Sequence, residues 1–381
     1  MKMQTVTRMT ALGLALLFLG TAHAATHEMR LIDTGNGQPF WADAAKMDSL
    51  SEKSHLSNRC GGYFDITNVS AAQNQINQTQ LPLVEEFKLS LKNRVPTQQT
   101  YLNQVFPELD NAKIIETVKS LAAYKNRYYQ SPYGVKAAEW IASQFKERSG
   151  SRADAKIELF QHKFKQPSVI ATIPGQGPHA NEIVVIGGHE DSINISSIFG
   201  SPEQVAPGAD DNATGVATIL EVYRVMIASG FKNDRTLSFM TYAGEEKGLL
   251  GSQDIANRYK KDGKSVVAVV QFDMTGFDGS NDQVVFMTDF TNADLTKFTQ
   301  VLMDTYVKSR WSNDKCGYAC SDHASWFKAG YPSVMPFEAT MGQDNKKIHT
   351  QNDVIDILDF NHSLHFTKLA LAFAAELSTE K

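Results

Sequence analysis

Several apolar runs in the C-terminal two thirds of this chain stop on a histidine or an acid, and that pattern restricts its fold more than any other feature. Residues 183–186 run into Gly187-Gly188-His189, residues 237–242 into Ala243-Gly244-Glu245-Glu246, and residues 266–272 onto Asp273. Continuously apolar strands belong to a sheet covered on both faces. Strand-like runs at 156–164, 168–173, 182–186, 236–242, 266–272, 284–288 and 333–337 are interleaved with helical spacing at 112–123, 135–148, 214–228, 251–260, 294–306 and 362–377. The expected fold is α/β: a single globular domain whose mostly parallel central sheet is flanked by helices on both faces. In such sheets ligands bind outside the carboxyl ends of the strands, so separate strand ends are expected to meet at one crevice.

The 381 residues suffice for one large domain and a smaller one, and 42% hydrophobic against 21% charged residues supports a sizeable core. A net charge of −5 gives no reason to expect nucleic acid or an anionic membrane as partner. Lys2 and Arg8, an apolar stretch at 9–20 and Ala22-His23-Ala24 read as an export signal over residues 1–24, which implies a secreted protein, periplasmic in transit where there is an outer membrane. Residues 25–97 are rich in Asn, Gln, Ser and Thr, show no strand–helix alternation, and read as a pro-segment or N-terminal cap that a processing protease removes; 98–381 is then the functional domain, expected as a monomer. Of three cysteines, Cys60 lies in the early segment, while Cys316 and Cys320 sit four apart and either pair in an oxidising compartment or belong to a cysteine metal site.

Five stretches carry the chemistry: 188–191, 208–212, 244–246, 272–274 and 348–350. His189 followed by Asp191 suits an imidazole ligand held in one tautomer by a carboxylate, or an ordinary turn. Asp210 and Asp211 precede a helix; they could serve only as caps, yet two adjacent acids without a cation repel. Glu245 and Glu246 at a strand end can divide their work, one binding metal and one moving protons, or form a surface pair favoured by a helix dipole. Asp273 after an apolar strand needs a partner, metal or cation. His349 lies in a polar loop. Two Zn²⁺ ions bring four positive charges, and Asp211, Glu246 and Asp273 with one hydroxide cancel them, which favours deprotonation of water near neutral pH.

Six motifs in order, from His189-Glu190-Asp191-Ser192 through 206–212, 243–249, 271–275 and 316–326 to Ile348-His349-Thr350, resemble the secreted bacterial leucyl aminopeptidases, which are co-catalytic di-zinc exopeptidases. The resemblance runs from about residue 98 to the C-terminus. It implies that His189 and Asp273 hold one zinc, Glu246 and His349 the other, and that Asp211 bridges them. It implies Glu245 as general base and acid, Asp191 as the partner of His189, Tyr318 as the hydroxyl that steadies the tetrahedral intermediate, a Cys316–Cys320 disulfide, a cis peptide between Asp211 and Asn212, and peptides with a free N-terminus as substrates. Met274, Cys320, Phe337 and Ile348 match apolar positions of the family's side-chain pocket. Met341 and Asp344 depart from it, standing where aromatic residues are usual. The expected preference is N-terminal Leu or another hydrophobic residue or, through Asp344, Lys or Arg. Rival readings are a single-zinc enzyme like glutaminyl cyclase, which shares the fold, and a catalytically silent relative used for binding.

Overall fold

The computed structural model describes residues 29–34, 38–56, 63–67, 91, 93–150, 152–195 and 202–380. The expected export signal, Cys60 and most of the Asn- and Gln-rich stretch lie outside the described residues. In chain order the strands are β1 Arg30–Asp33, β2 Phe40–Ala42, β3 Phe64–Asp65, β4 Lys156–Phe160, β5 Ser168–Ile173, β6 Glu182–His189, β7 Thr236–Tyr242, β8 Ser265–Gln271, β9 Val284–Met287, β10 Trp311–Asp314 and β11 Ser333–Phe337. The helices are α1 Ala44–Leu56, α2 Gln99–Val105, α3 Asn111–Ala122, α4 Pro132–Arg148, α5 Gly215–Ala228, α6 Leu250–Lys261, α7 Ala293–Leu302, α8 His323–Ala329 and α9 Phe360–Ser378.

The last eight strands form one sheet in the order β10-β9-β11-β8-β6-β7-β5-β4. Its centre, β11-β8-β6-β7, is parallel throughout, and antiparallel pairings occur toward the two edges, at β4–β5, β5–β7 and β9–β11. Alternate residues of each central strand enter different cores, as a pleated strand requires. Val184, Ile186, Leu237 and Phe239 pack toward α3, α4, α5 and α9, while Val185, Met240 and Tyr242 pack toward Trp326 of α8 and Ile255 of α6. That division explains the unbroken apolar runs. Gly187 is required on this second face, because a Cβ there would lie 2.4 Å from the Tyr242 hydroxyl. Asp110, Ser131 and Asn292 cap α3, α4 and α7 with their side chains.

The helical spacing at 294–306 resolves into α7 and a wider turn, Met303–Val307, and the strand expected at 156–164 stops at Phe160. Within residues 25–97, where alternation is absent from the sequence, β2-β1-β3 form a small antiparallel sheet and α1 is a 13-residue helix. Among the described side chains of α1 the buried ones are polar, Ser51 and His55, one turn apart. Its apolar contacts among the described residues are limited to the partly buried Met47 and Leu50, which pack on Ile32, Ala42 and Tyr63, too short a stripe to announce the helix. No helix among the described residues is long and apolar enough to cross a membrane.

Candidate metal centre

The parallel centre of the sheet sets the site. His189 is the last residue of β6, and β8 is in register with it at Gly187–Gln271, so Asp273 stands the same two residues beyond that pair as His189 does. After β7, Gly244 adopts a φ of 70° and turns the chain into a short 3₁₀ turn, Glu245–Lys247. The loop that follows β11 carries Ile348 and His349. Asp211 sits in the tight turn Ala209–Thr214 ahead of α5, and its peptide with Asn212 is cis.

These side chains meet. His189 Nε2 lies 2.9 Å from Asp211 Oδ1 and 3.2 Å from Asp273 Oδ1. His349 Nε2 lies 3.0 Å from Asp211 Oδ2 and 3.2 Å from Glu246 Oε2. Each Asp211 oxygen thus faces a different histidine. All five residues are at most 2% exposed. Three carboxylates buried around two imidazoles leave a deficit of positive charge that burial makes costly. Ligand atoms of a tetrahedral zinc, each about 2.0–2.2 Å from the metal, stand roughly 3.3 Å apart, so the observed spacings and the N/O donor set fit a pair of such ions.

Where protons alone answer that deficit, the titrations shift accordingly. Burial opposes charge on His189, but Asp273, Asp191 and Asp211 drive it well above the usual imidazole range. His349 is likewise pushed up to about 10, with Glu246 and Asp211 outweighing burial. Burial would raise Glu246, yet His349 and His55 hold it at about 2, and Asp211 also lies below its ordinary range despite burial, through His189 and His349. Glu245 behaves differently. Burial pushes it well above the carboxylate range; His189 opposes, while Glu246, Asp322 and Asp273 add to the shift. Neither of its carboxylate oxygens has a hydrogen-bond partner among the described residues.

A second layer fixes these groups. Asp191 accepts the backbone N–H of Glu245 (3.0 Å) and of Glu246 (3.3 Å) and places Oδ1 3.5 Å from His189 Nδ1. Asn212, expected from the sequence only as the partner of Asp211 in a cis peptide, joins three segments: its amide donates to Phe272 O at 2.9 Å and its Oδ1 accepts from Gly215 N and Met274 N. Gly215 leaves room for it, since a Cβ there would lie 2.4 Å from Asn212 Oδ1. Asp353 accepts from Asp210 N and Asp211 N, both at 3.1 Å. Asp210 turns away from its neighbour to accept from Gly276 N and Asn345 Nδ2, and burial pushes it up to about 8, with Asp353 and Asp211 adding to the shift. The adjacent acids therefore do not share a cation: Asp211 faces the histidines and Asp210 a hydrogen-bonded interior. The buried guanidinium of Arg127 donates to Glu190 O, Pro207 O and Gly208 O, tying together the loops that carry Asp191 and Asp211. Nothing near Asp353 or Arg127 in the sequence marks them beyond their being polar, and the sequence offers Asn212 only within the 208–212 stretch and as the partner of Asp211 in a cis peptide.

One more residue joins the cluster. His55 Nε2 of α1 lies 2.9 Å from Glu246 Oε2, and His55, Glu246 and His349 form a second group with metal-ligand spacing beside His189, Asp211 and Asp273.

Next to Asp273 a small cavity of about 20 Å³ is lined by Met274, Cys316, Tyr318, Cys320, Met335, Phe337, Met341, Asp344 and Ile348. It gathers every pocket position expected from the sequence. Cys316 and Cys320 are joined in a disulfide. Asp344 is 5% exposed and points neither to bulk solvent nor to an unshared space; its Oδ1 accepts from Lys346 Nζ at 2.7 Å and Gly342 N at 2.8 Å.

Comparison with known proteins agrees with this geometry. Residues 168–374, more than half of the chain, match the model of peptidase family M28. A probable leucine aminopeptidase of the fungus Arthroderma otae is 38% identical over 97% of this chain and 98% of its own length. Among solved structures, the LapA aminopeptidase of Legionella pneumophila superposes with a TM-score of 0.78 at 30% identity, covering 93% of this chain and 94% of its own. LapB of the same organism superposes with a TM-score of 0.76 at 29% identity, covering 92% and 95%.

Proposed function

The chain belongs to peptidase family M28 and is a metallo-aminopeptidase, and on that premise we propose that it removes N-terminal residues from peptides with two zinc ions and Glu245 as the group that moves protons. The observation that carries this reading is Asp211, whose two oxygens face His189 at 2.9 Å and His349 at 3.0 Å. His189 and Asp273 would hold one ion, Glu246 and His349 the other, and Asp211 both. Bound there, the ions would polarise the scissile carbonyl and acidify the attacking water.

The chain's own groups do the rest. Glu245 takes the proton of the attacking water and returns it to the leaving amine; its buried carboxylate, with no hydrogen-bond partner among the described residues, is open to both tasks. Tyr318, buried in the wall next to Asp273, donates its hydroxyl to the oxyanion. Asp191 orients His189 and pins the Glu245–Glu246 turn. Met274, Cys320, Phe337, Met341 and Ile348 receive the substrate's first side chain, which favours Leu and other apolar residues. Lys346 already neutralises Asp344, which argues against an acidic pocket for Lys or Arg. Residues 1–24 direct export, and a processing protease removes a pro-segment within 25–97 from an enzyme that acts outside the cell as a monomer.

Elemental analysis of the purified protein coupled to an aminoacyl-anilide assay tests this. We expect two zinc ions per chain, loss of turnover on chelation and its return on adding zinc; full activity with one ion or none rejects the two-ion reading. Leu-anilide should be cleaved faster than Lys-anilide, and Asp344→Ala should change that ratio by less than about fivefold, the scale of a partly screened charge. A larger swing toward Leu restores the acidic pocket.

A further inference from the structure

Resting on the two-ion reading above, we propose that His55 is a fourth protein ligand of the ion held by Glu246, His349 and Asp211, and that the N-terminal segment thereby closes the position through which substrate and water would enter. His55 Nδ1 lies 2.6 Å from Ser51 O, where its N–H donates to that carbonyl. Nε2 then faces Glu246 Oε2, 2.9 Å away, as the second N–H of an imidazolium or, in the neutral ring, through its lone pair. In the neutral ring two acceptors that close repel unless a cation lies between them, and a metal ion in place of the proton meets that need. A ring N–H donated to a backbone carbonyl, with the other nitrogen free, is how metal-bound histidines are commonly held. The His55 and His349 rings meet edge to face with centroids 4.6 Å apart, and all three residues are at most 2% exposed.

The ligand count gives this contact its meaning. Catalytic zinc keeps three protein ligands and one open position, whereas four protein ligands make a closed, structural site. The ion near His189 has three candidates in His189, Asp273 and Asp211. Its neighbour has Glu246, His349 and Asp211, and His55 supplies the fourth. The segment is placed to deliver it: Ser51 Oγ donates to Glu246 O at 3.0 Å, Tyr63 OH to Lys247 O at 2.6 Å, and Asp33 pairs with Lys328 at 2.8 Å. Phe64 and Ile66 pack on Leu249, Phe290 and Phe327. Yet a cleft of about 840 Å³, bordered by Met47 and Tyr63 on one side and Phe164, Leu250 and Asn257 on the other, separates parts of the segment from the body. Among the described residues these tethers lie outside the eight-stranded sheet, so the segment can part from the body without dismantling it.

The test uses the full chain loaded with Co²⁺, wild type beside His55→Cys and His55→Ala. His55→Cys should add a thiolate-to-cobalt charge-transfer band in the near ultraviolet that the wild type lacks. His55→Ala should release one of its two ions to a chelator roughly tenfold faster or more, since even outer partners of a ligand are worth that much. It should also cleave Leu-anilide at least about tenfold faster than the unprocessed wild type. If the wild type binds two Co²⁺ ions, but His55→Cys adds no band and His55→Ala releases metal as the wild type does, residue 55 is not a ligand and the proposal fails while the two-ion reading stands. Uptake of fewer than two ions by the wild type overturns both.

Discussion

His189 and Asp273 stand at the ends of adjacent strands, whereas Glu246 and His349 stand on a turn and a loop. The first pair inherits its spacing from the register of β6 with β8 and from Asn212, which bonds the carbonyl of His189 and the residues on either side of Asp273. The second pair depends on a left-handed glycine at 244, a left-handed His349 with a φ of 57°, and contacts made by the N-terminal segment. One half of the cluster is therefore part of the sheet, and the other is held by a turn, a loop and a docked segment. A control acting through geometry has its purchase on the second half, where His55 is found. Loops carry adjustable function on a rigid scaffold for the same reason.

The comparison can be sharpened by variants. The largest effect is expected from Glu245→Gln, which removes the proton carrier but no metal contact: kcat should fall about 10²–10⁴-fold while both ions stay bound. Near-normal kcat would show that proton transfer rests elsewhere. Asn212→Ala should destabilise the protein by about 3 kcal/mol in denaturant melts, because it orphans buried backbone groups at the His189 half. Ser51→Ala, which removes a hydroxyl bonded to Glu246 O and 3.3 Å from His55 Nδ1 at the other half, should cost about 1 kcal/mol. Equal losses would erase the contrast between a sheet-built half and a docked one.

The pH dependence is the gentlest probe. His349 rises from 6.5 to about 10 in the folded, ion-free protein, so the stability its proton contributes is complete below pH 6.5 and lost as pH rises through about 10. Asp210, raised to about 8, acts in the same direction above its ordinary value. A bound ion must displace the histidine proton, so metal affinity should rise with pH over that window, about tenfold per unit for each proton released. Calorimetric titration at pH 7 and 9 checks it. Two protons per ion pair would mean that both halves, through His189 and His349, respond alike; one would set them apart.

Much of this was legible in the sequence because it is local. Unbroken apolar runs announced a sheet covered on both sides, and a strand that ends on His189 or Asp273 carries its own address. Even the pocket residues 274, 320, 337, 341, 344 and 348 came together from the expected positions. The adjacent acids at 210 and 211 were legible as a pair but not in their division of labour, since which one faces the histidines depends on Asp353 and Asn345 more than a hundred residues away.

The chain's own pattern determined the α/β layering, the order of the strand ends and the inventory of acids and imidazoles, because side-chain periodicity and the carboxyl-end rule act over a few neighbouring residues. Tertiary structure alone decided that Asn212 would bind the ends of β6 and β8, that Arg127 would join two loops, and that His55 would meet Glu246 across 191 positions. Those contacts depend on the docking of whole elements. A helix whose apolar contacts, through Met47 and Leu50, are with its own small sheet gives no sign in the sequence that Ser51 and His55 meet Glu246.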